Sequence, residues 1–577
     1  MKAMNTTIKD LCALVVLCAF CVPFLSSCDA LDEAPDNRTE ITTPDKVQQL
    51  LTSAYPVQSP AVICELSGDN LLDDNVVVPA THNAAMYKFH EEAYMWEDIE
   101  DYSTNVSDTP YQIWESYYQG IAVCNHAIAA MQEMSGDPAN DIQLAHSWGE
   151  AHVLRAYLHF VLVSLFAEAY KDAARSAADR GIPYVTIPET TVHVDYSTSE
   201  FLHDVKTTYD LIEKDILEGI NLIDDSKYKV PAYHFNRNAA NAFAARFYLF
   251  KRDYAKCLEY ANAALGENPV LRNWRAINRN TLAAAVKDYN DETQSWNYLI
   301  QSTYSYQWRI MDTNARFAIN DGTTFKSDGK TWRVGSTLSP TMWGSGPNWS
   351  PTLPAYSGMV YVNMYGQQFG AWLFRLYEYF EYTDKIAGIG YIHQLYQPFN
   401  ADETILCRAE AKLYLGDRKG AIDDLDMWTS SHLVTKTLEL ADIRKRYNRA
   451  SKDNDYVSEL HPAEMGFEKV LTGDDLSVLD CILHFRRAET VHEGHRWFDI
   501  KRYGIKVYHH YRGPNEDDIH TDSLTWDDPR RVLQLPNNVI ESGYPSNRTN
   551  SAAGGGSGAG YVIQSHKQTS TPKLYQK

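Results

Sequence analysis

The residues best placed to do chemistry lie late in the chain, in Arg486-Arg487-Ala488-Glu489-Thr490-Val491-His492-Glu493-Gly494-His495-Arg496-Trp497-Phe498-Asp499-Ile500-Lys501-Arg502-Tyr503-Gly504. Two imidazoles beside a carboxylate suggest a metal centre. The spacing is H-E-x-H rather than H-E-x-x-H, so His492 and His495 do not share a helix face at i, i+4. Glu489 and Glu493 stand one helical turn apart, and Asp499 and Arg502 three residues apart, which suits charge pairing along a helix. The segment therefore reads as a structural ion network, with no metal and no catalytic role. The chain holds 75 acidic residues, so a glycosidase-type carboxylate pair stays open as an alternative. No motif singles one out.

The elements that must position this segment are mostly helical. Thr43-Pro44 is a hydroxyl cap followed by proline at the first helical position, and Val47, Leu50, Leu51 and Tyr55 then share a face. Periodicity predicts further helices over Tyr111 to Met134, Ile142 to Tyr170, Ser199 to Ile223, Asn238 to Lys251, Tyr254 to Leu265, Asp402 to Leu415, Lys419 to Trp428 and Leu476 to Tyr503. Two stretches have tetratricopeptide-type spacing. One holds Ala245, Tyr248, Tyr254, Ala264 and Pro269; the other holds Ala409, Gly416 and Ala421. Such helix pairs cannot bury their faces alone and must stack. The expected fold is mostly α, a right-handed superhelix of tetratricopeptide-like pairs within about 43–265 and 402–430, with a long irregular, loop-rich insertion. That insertion spans about 267–384 and carries Trp274, Trp296, Trp308, Trp332, Trp343, Trp349 and Trp372. Loops of such length in compact proteins usually carry function. A flexible tail is expected over about 546–577.

The front of the chain carries different chemistry. Leu11 to Leu25 is almost wholly apolar, follows Lys2 and Lys9, and leads through Ser26 and Ser27 to Cys28, after which Asp29, Asp32 and Glu33 follow. This is the layout of a secretory signal. As a helix the apolar stretch would cover about 22 Å, short of the ~30 Å hydrocarbon core. Leu25-Ser26-Ser27-Cys28 resembles the lipobox of bacterial lipoproteins, which implies cleavage after residue 27 and acylation (palmitate among the chains) of the Cys28 thiol. Several acyl chains on one residue give durable anchoring. The formal net charge of −22 argues against nucleic acid as a partner and against adhesion to anionic lipid. Cys64, Cys124, Cys257, Cys407 and Cys481 are far apart and odd in number, so neither a zinc spacing nor a disulfide framework is expected.

The signature over residues 486–504 resembles the C-terminal motif of SusD/RagB-type nutrient-binding lipoproteins of Bacteroidetes, roughly R-R-x-E-L-x-x-E-G-x-R-x-x-D-L-x-R-x-G. Thr490 replaces the leucine, and Ala488 stands where an acidic or polar residue is more usual. Trp114, Tyr118, Ile121 and Asn125 are similar to that family's W-x-x-x-Y-x-x-I-x-x-x-N pattern. Arg155-Ala156-Tyr157, Gly181-Ile182-Pro183-Tyr184, Cys407-Arg408-Ala409-Glu410-Ala411 and Leu533-Gln534-Leu535-Pro536 continue the likeness. The resemblance implies a surface-exposed outer-membrane protein that is not an enzyme and needs no cofactor. It implies a lid over a SusC-like TonB-dependent barrel transporter, to which a captured glycan, or in some members a peptide, is passed.

Sugar capture sets a plain demand: flat rings for the C–H face of a pyranose, and amide, carboxylate or guanidinium groups for its hydroxyls. Two regions offer the mixture. One is Asp69, Asn70, Asp73, Asp74 and Asn75, followed by Tyr94 and Trp96; the other is the middle region, with Trp332, Trp343, Trp349, Tyr356 and Tyr361. Asp69, Asp73 and Asp74 offer oxygen ligands that suit a structural calcium ion, without EF-hand spacing.

Overall fold

Side-chain caps set the helix starts. Thr109 accepts from the Gln112 amide ahead of Pro110, Asn236 from Ala239, Asp253 from Lys256, Asn400 from Glu403 and Asp417 from Gly420. Each satisfies one of the orphan N–H groups of a first helical turn. The helices that build the frame are α1 (Pro110–Met134), α2 (Ala145–Phe166), α3 (Val205–Gly219), α4 (Arg237–Lys251), α5 (Tyr254–Leu265), α6 (Ala401–Tyr414), α7 (Arg418–Ser431), α8 (Gly473–Glu489) and α9 (His495–Tyr503). The computed structural model describes residues 41–73, 87–99, 106–189, 196, 198, 200–278, 280–311, 316–318, 323–327, 330–334, 360–365, 368–432, 437–450, 457–512, 519–541 and 543–548. Cys28, Asp74, Asn75, Trp343, Trp349 and Tyr356 lie outside the described residues.

The chain is mostly helical, in the manner of tetratricopeptide pairs. α1 packs on α2, α2 on α3, α4 on α5, α5 on α6, and α6 on both α7 and α8. Small residues permit the closest approaches. A Cβ added to Gly149 of α2 would meet the Gly219 carbonyl oxygen of α3 at 2.7 Å, and one added to Gly219 would meet the Gly149 oxygen at 2.4 Å. The two backbones touch there, and any side chain forces them apart. The core continues in rings: Phe243 lies edge-on to Tyr157 and to Phe160, each at 5.6 Å, and 5.9 Å from Phe399. Cys64, Cys124, Cys257, Cys407 and Cys481 are buried free thiols, acting as small apolar side chains. Among the described residues no helix is long and apolar enough to cross a membrane.

Two expectations change. The helix expected over Leu476 to Tyr503 is two helices, α8 and α9, broken at Thr490–Gly494. His492 has φ 64° and Gly494 φ 81°, and a Cβ at Gly494 would meet the Cys64 Cβ at 2.8 Å. The break follows from that close tertiary contact. The insertion is also not wholly irregular. It carries helices Leu282–Tyr289 and Gln307–Met311 and two strands that join the strand following it in a three-stranded antiparallel sheet. The strands are β1 (Asn297–Thr303), β2 (Glu378–Asp384) and β3 (Ile389–Asn400), ordered β2-β3-β1. The alternating rings of Glu378-Tyr379-Phe380-Glu381-Tyr382 suit a strand exposed on both faces.

Candidate functional site

The β2–β3 hairpin presents aromatic side chains on both faces. In an antiparallel pair, directly opposed residues point to the same face. Tyr379 opposes His393 and Glu381 opposes Tyr391; on the other face Phe380 opposes Ile392. A chain of ring contacts runs along the first face. Trp308 meets Tyr377 at 6.4 Å, Tyr377 meets Tyr379 at 4.8 Å, and Tyr379 stacks on His393 at 5.2 Å. His393 lies 6.1 Å from Tyr391, which meets Tyr304 edge-on at 5.4 Å. Tyr304 is 40% and Tyr391 37% exposed, while Phe380 and Tyr382 on the reverse face are 48% and 52% exposed. Water is therefore in reach of several rings of one hairpin. Polar groups interleave with them: Tyr391 Oη donates to Glu381 Oε2 at 2.9 Å, and Asn290 Nδ2 donates to Tyr379 Oη at 3.5 Å. Partial burial lowers the His393 pKa, with Glu381 opposing, so its ring is neutral at pH 7.

Rigid neighbours hold this ring ladder. Arg309 grips Glu378 with two bonds of 2.8 and 2.7 Å. The Tyr304 amide donates to the Val57 carbonyl at 2.7 Å. Asp108, at the start of α1 with φ 70°, accepts the Tyr306 amide on Oδ2 at 2.9 Å. Gln307 Nε2 donates to the His492 carbonyl at 2.7 Å, and Gln394 Nε2 donates to Gln307 Oε1 and the Arg375 carbonyl. The ladder is thus tied to both the first helices and the signature turn.

The signature segment is a buried ion network. Arg486 Nη1 donates to Glu403 Oε1 at 3.1 Å and its Nε to Asp499 Oδ2 at 3.1 Å. Arg246 completes Glu403, and Arg502 joins Asp499 to Glu410. Burial opposes ionisation of Glu403, but Arg246 and Arg486 outweigh it and hold the carboxyl well below its ordinary range. Arg375 reaches in from the insertion, 3.5 Å from Glu489 and 3.4 Å from Glu493. A second network joins the residues of the family's early motifs. Arg155 clamps Asp215 with bonds of 2.8 and 2.7 Å, donates to Asn125 Oδ1 at 2.8 Å, and shares Asp215 with Tyr184.

The described early-loop candidates, Asp69, Asn70, Asp73 and Trp96, are bound to protein partners. Asp69 receives Arg496 bidentately at 2.8 and 2.8 Å. Burial opposes its charge, yet Arg487 and Arg496 hold the carboxyl far below its usual range. Asn70 is buried, donating to Glu65 Oε2 and accepting from Arg487 Nε. Asp73 pairs bidentately with Arg316 at 2.6 and 2.8 Å. Trp96 is 2% exposed, stacks on His509 at 4.0 Å and donates to the Ser67 carbonyl. These four side chains are committed to protein partners, as are two of the three carboxylates proposed for calcium. Trp332 sits in the strand Lys330–Val334 opposite Phe325, and Tyr361 in Val360–Tyr365 opposite Trp372. The rings that do reach water, Tyr304, Phe380, Tyr382 and Tyr391, are not among the residues that the sequence singles out. The i, i+2 spacing of Phe380 and Tyr382 is the signal that marks the strand carrying two of them.

Stacked helix pairs, closed by one buried arginine–carboxylate signature and carrying a ring-bearing sheet between them, define a helical-repeat protein with a built-in sheet insertion. Family comparison gives that class its identity. A model described as "Starch-binding associating with outer membrane" matches residues 29–249, and one described as "SusD family" matches residues 283–570. The chain belongs to the SusD/RagB family. Solved structures agree in fold. A SusD superfamily protein from Bacteroides vulgatus is 18% identical with a TM-score of 0.53, over 88% of this chain and 98% of that one. A SusD-like carbohydrate-binding protein from the same species is 13% identical with a TM-score of 0.54, over 87% and 96%. Surface glycan-binding protein A from Bacteroides uniformis is 14% identical with a TM-score of 0.50, over 88% and 100%. No curated protein matches the chain.

Proposed function

We propose that this chain is a surface nutrient-binding lipoprotein that captures an oligosaccharide and delivers it to a SusC-like TonB-dependent transporter in the outer membrane. In this reading Cys28 carries the lipid anchor, and the protein catalyses no reaction. The observation that carries the reading is the exposed ring ladder of the β2–β3 hairpin with Tyr304. Flat rings beside carboxylate and hydroxyl groups match a pyranose, which needs an apolar platform and hydrogen-bond partners at once. Two of the three relatives named above are titled carbohydrate- or glycan-binding, which supports the same ligand class. Trp332, Trp343, Trp349 and Tyr356 belong to the same insertion and are proposed as further ring contacts.

A screen of polysaccharides and of peptide mixtures against the chain lacking residues 1–28 tests the proposal. The expected result is saturable binding of at least one glycan, read by tryptophan fluorescence, with no new reducing ends. Binding of peptides alone would assign the protein to peptide capture, and release of reducing ends would assign it to hydrolysis.

A further inference from the structure

We propose that Asp402, His432 and Glu489 form a buried zinc-binding site that ties three helices together at the start of the signature. Asp402 sits in the first turn of α6, His432 caps the C-terminus of α7 and Glu489 ends α8. The three residues are 0%, 3% and 0% exposed. Each offers one ligand atom, and these atoms lie within 4.8 Å of one another. The site is distinct from His492 and His495, which the sequence spacing first brings to mind.

The hydrogen bonds around the cluster leave a position that calls for a cation. His432 Nδ1 lies 2.8 Å from the Trp428 carbonyl oxygen, so that nitrogen carries the ring proton. Nε2 then faces Glu489 Oε2 at 3.2 Å without a well-directed hydrogen bond. A neutral imidazole in this pose aims a lone pair at a carboxylate. Asp402 Oδ2 accepts from the Arg272 amide at 3.2 Å, while its Oδ1 has no partner although the residue is fully buried. Burying such an oxygen unpaired is costly. A metal ion among the three side chains satisfies both atoms.

The supporting shell is also of the kind metal ligands require. The second nitrogen of the histidine is fixed by a backbone carbonyl, which sets the tautomer. Trp428 stacks on the imidazole at 3.9 Å and donates Nε1 to Glu489 Oε2 at 3.0 Å. Arg375 stands 3.5 Å from the other oxygen, Oε1. One imidazole nitrogen with carboxylate oxygens suits zinc better than calcium or magnesium, which prefer all-oxygen sets. Zinc–ligand distances of about 2.0–2.2 Å place neighbouring donors of a tetrahedron about 3.4 Å apart, close to the His432–Glu489 separation of 3.2 Å. A water would fill the fourth position.

The test uses the mature chain freed of metal by chelation and then titrated with zinc chloride, and separately with cobalt(II) as a spectroscopic probe. The expected result is one zinc bound per chain, a rise in unfolding temperature on loading, and a tetrahedral cobalt spectrum. Asp402→Asn and His432→Gln should each weaken zinc at least tenfold and abolish that spectrum. Absence of zinc binding by the wild-type chain would overturn the proposal. Undiminished binding in both variants would overturn it too, by placing the zinc elsewhere. Because the wild-type titration and cobalt spectrum stand by themselves, poor folding of a variant does not remove the test.

Discussion

Replacing Asp108 by Asn should make the protein less sensitive to alkaline pH. Asp108 is fully buried and holds the Tyr306 amide on one oxygen. Burial drives its pKa up from 3.8 to about 7, against the opposing bonds from Tyr306 and Ser305. An acid with a raised folded pKa contributes stability at low pH, below its unfolded value. That contribution falls away as pH rises from about 4 through about 7, because the unfolded chain releases the proton first. The difference corresponds to an upper bound of about 4 kcal/mol lost by pH 8.5. Asn keeps an acceptor for the Tyr306 amide, carries no charge to bury, and tolerates the left-handed backbone at φ 70°. Urea unfolding at pH 5.5 and pH 8.5 measures the effect. About half of that loss has already occurred by pH 5.5, so Asp108→Asn should gain about 2 kcal/mol on the wild-type chain between pH 5.5 and pH 8.5. Glu65 and Glu493, also raised by burial to about 7, lower both chains alike and cancel in the comparison. Equal slopes with pH for the two proteins would refute the reasoning.

Arg486→Met removes the cation shared by Glu403 and Asp499, all about 1% exposed. Breaking such a buried network should cost about 3–5 kcal/mol, read as a lower denaturation midpoint. Gly149→Ala forces α2 from α3 where the backbones meet and should cost about 1–3 kcal/mol by the same assay. If Cys28 carries the proposed lipid anchor, Cys28→Ser should move the protein from the membrane fraction to the soluble fraction on cell fractionation.

Local signals carried much of the frame. Hydroxyl, amide and carboxylate caps mark the starts of α1, α4, α5, α6 and α7 to within a residue or so, and the Tyr254 to Leu265 helix falls where periodicity puts it. The signature's charge spacing anticipates the Asp499–Arg502 pair. Long-range contacts were not legible. Nothing near Asp69 announces that Arg496, 427 positions away, claims both its oxygens, and the break at Gly494 depends on Cys64. The convergence of Asp402, His432 and Glu489 likewise arises only when α6, α7 and α8 pack. In the insertion, tryptophan content does not mark the exposed sheet, whereas the i, i+2 spacings of Tyr377 with Tyr379 and of Phe380 with Tyr382 do.

The most direct test of the glycan-capture account is the affinity of the best-binding oligosaccharide for the wild-type chain and for a Tyr304→Ala/Tyr391→Ala variant, by isothermal titration with circular dichroism as a folding control. Loss of two contact rings should weaken binding by about 2 kcal/mol or more, roughly thirtyfold, with the helical spectrum unchanged. An affinity unaltered in a folded variant would contradict the assignment of this hairpin as the ligand platform.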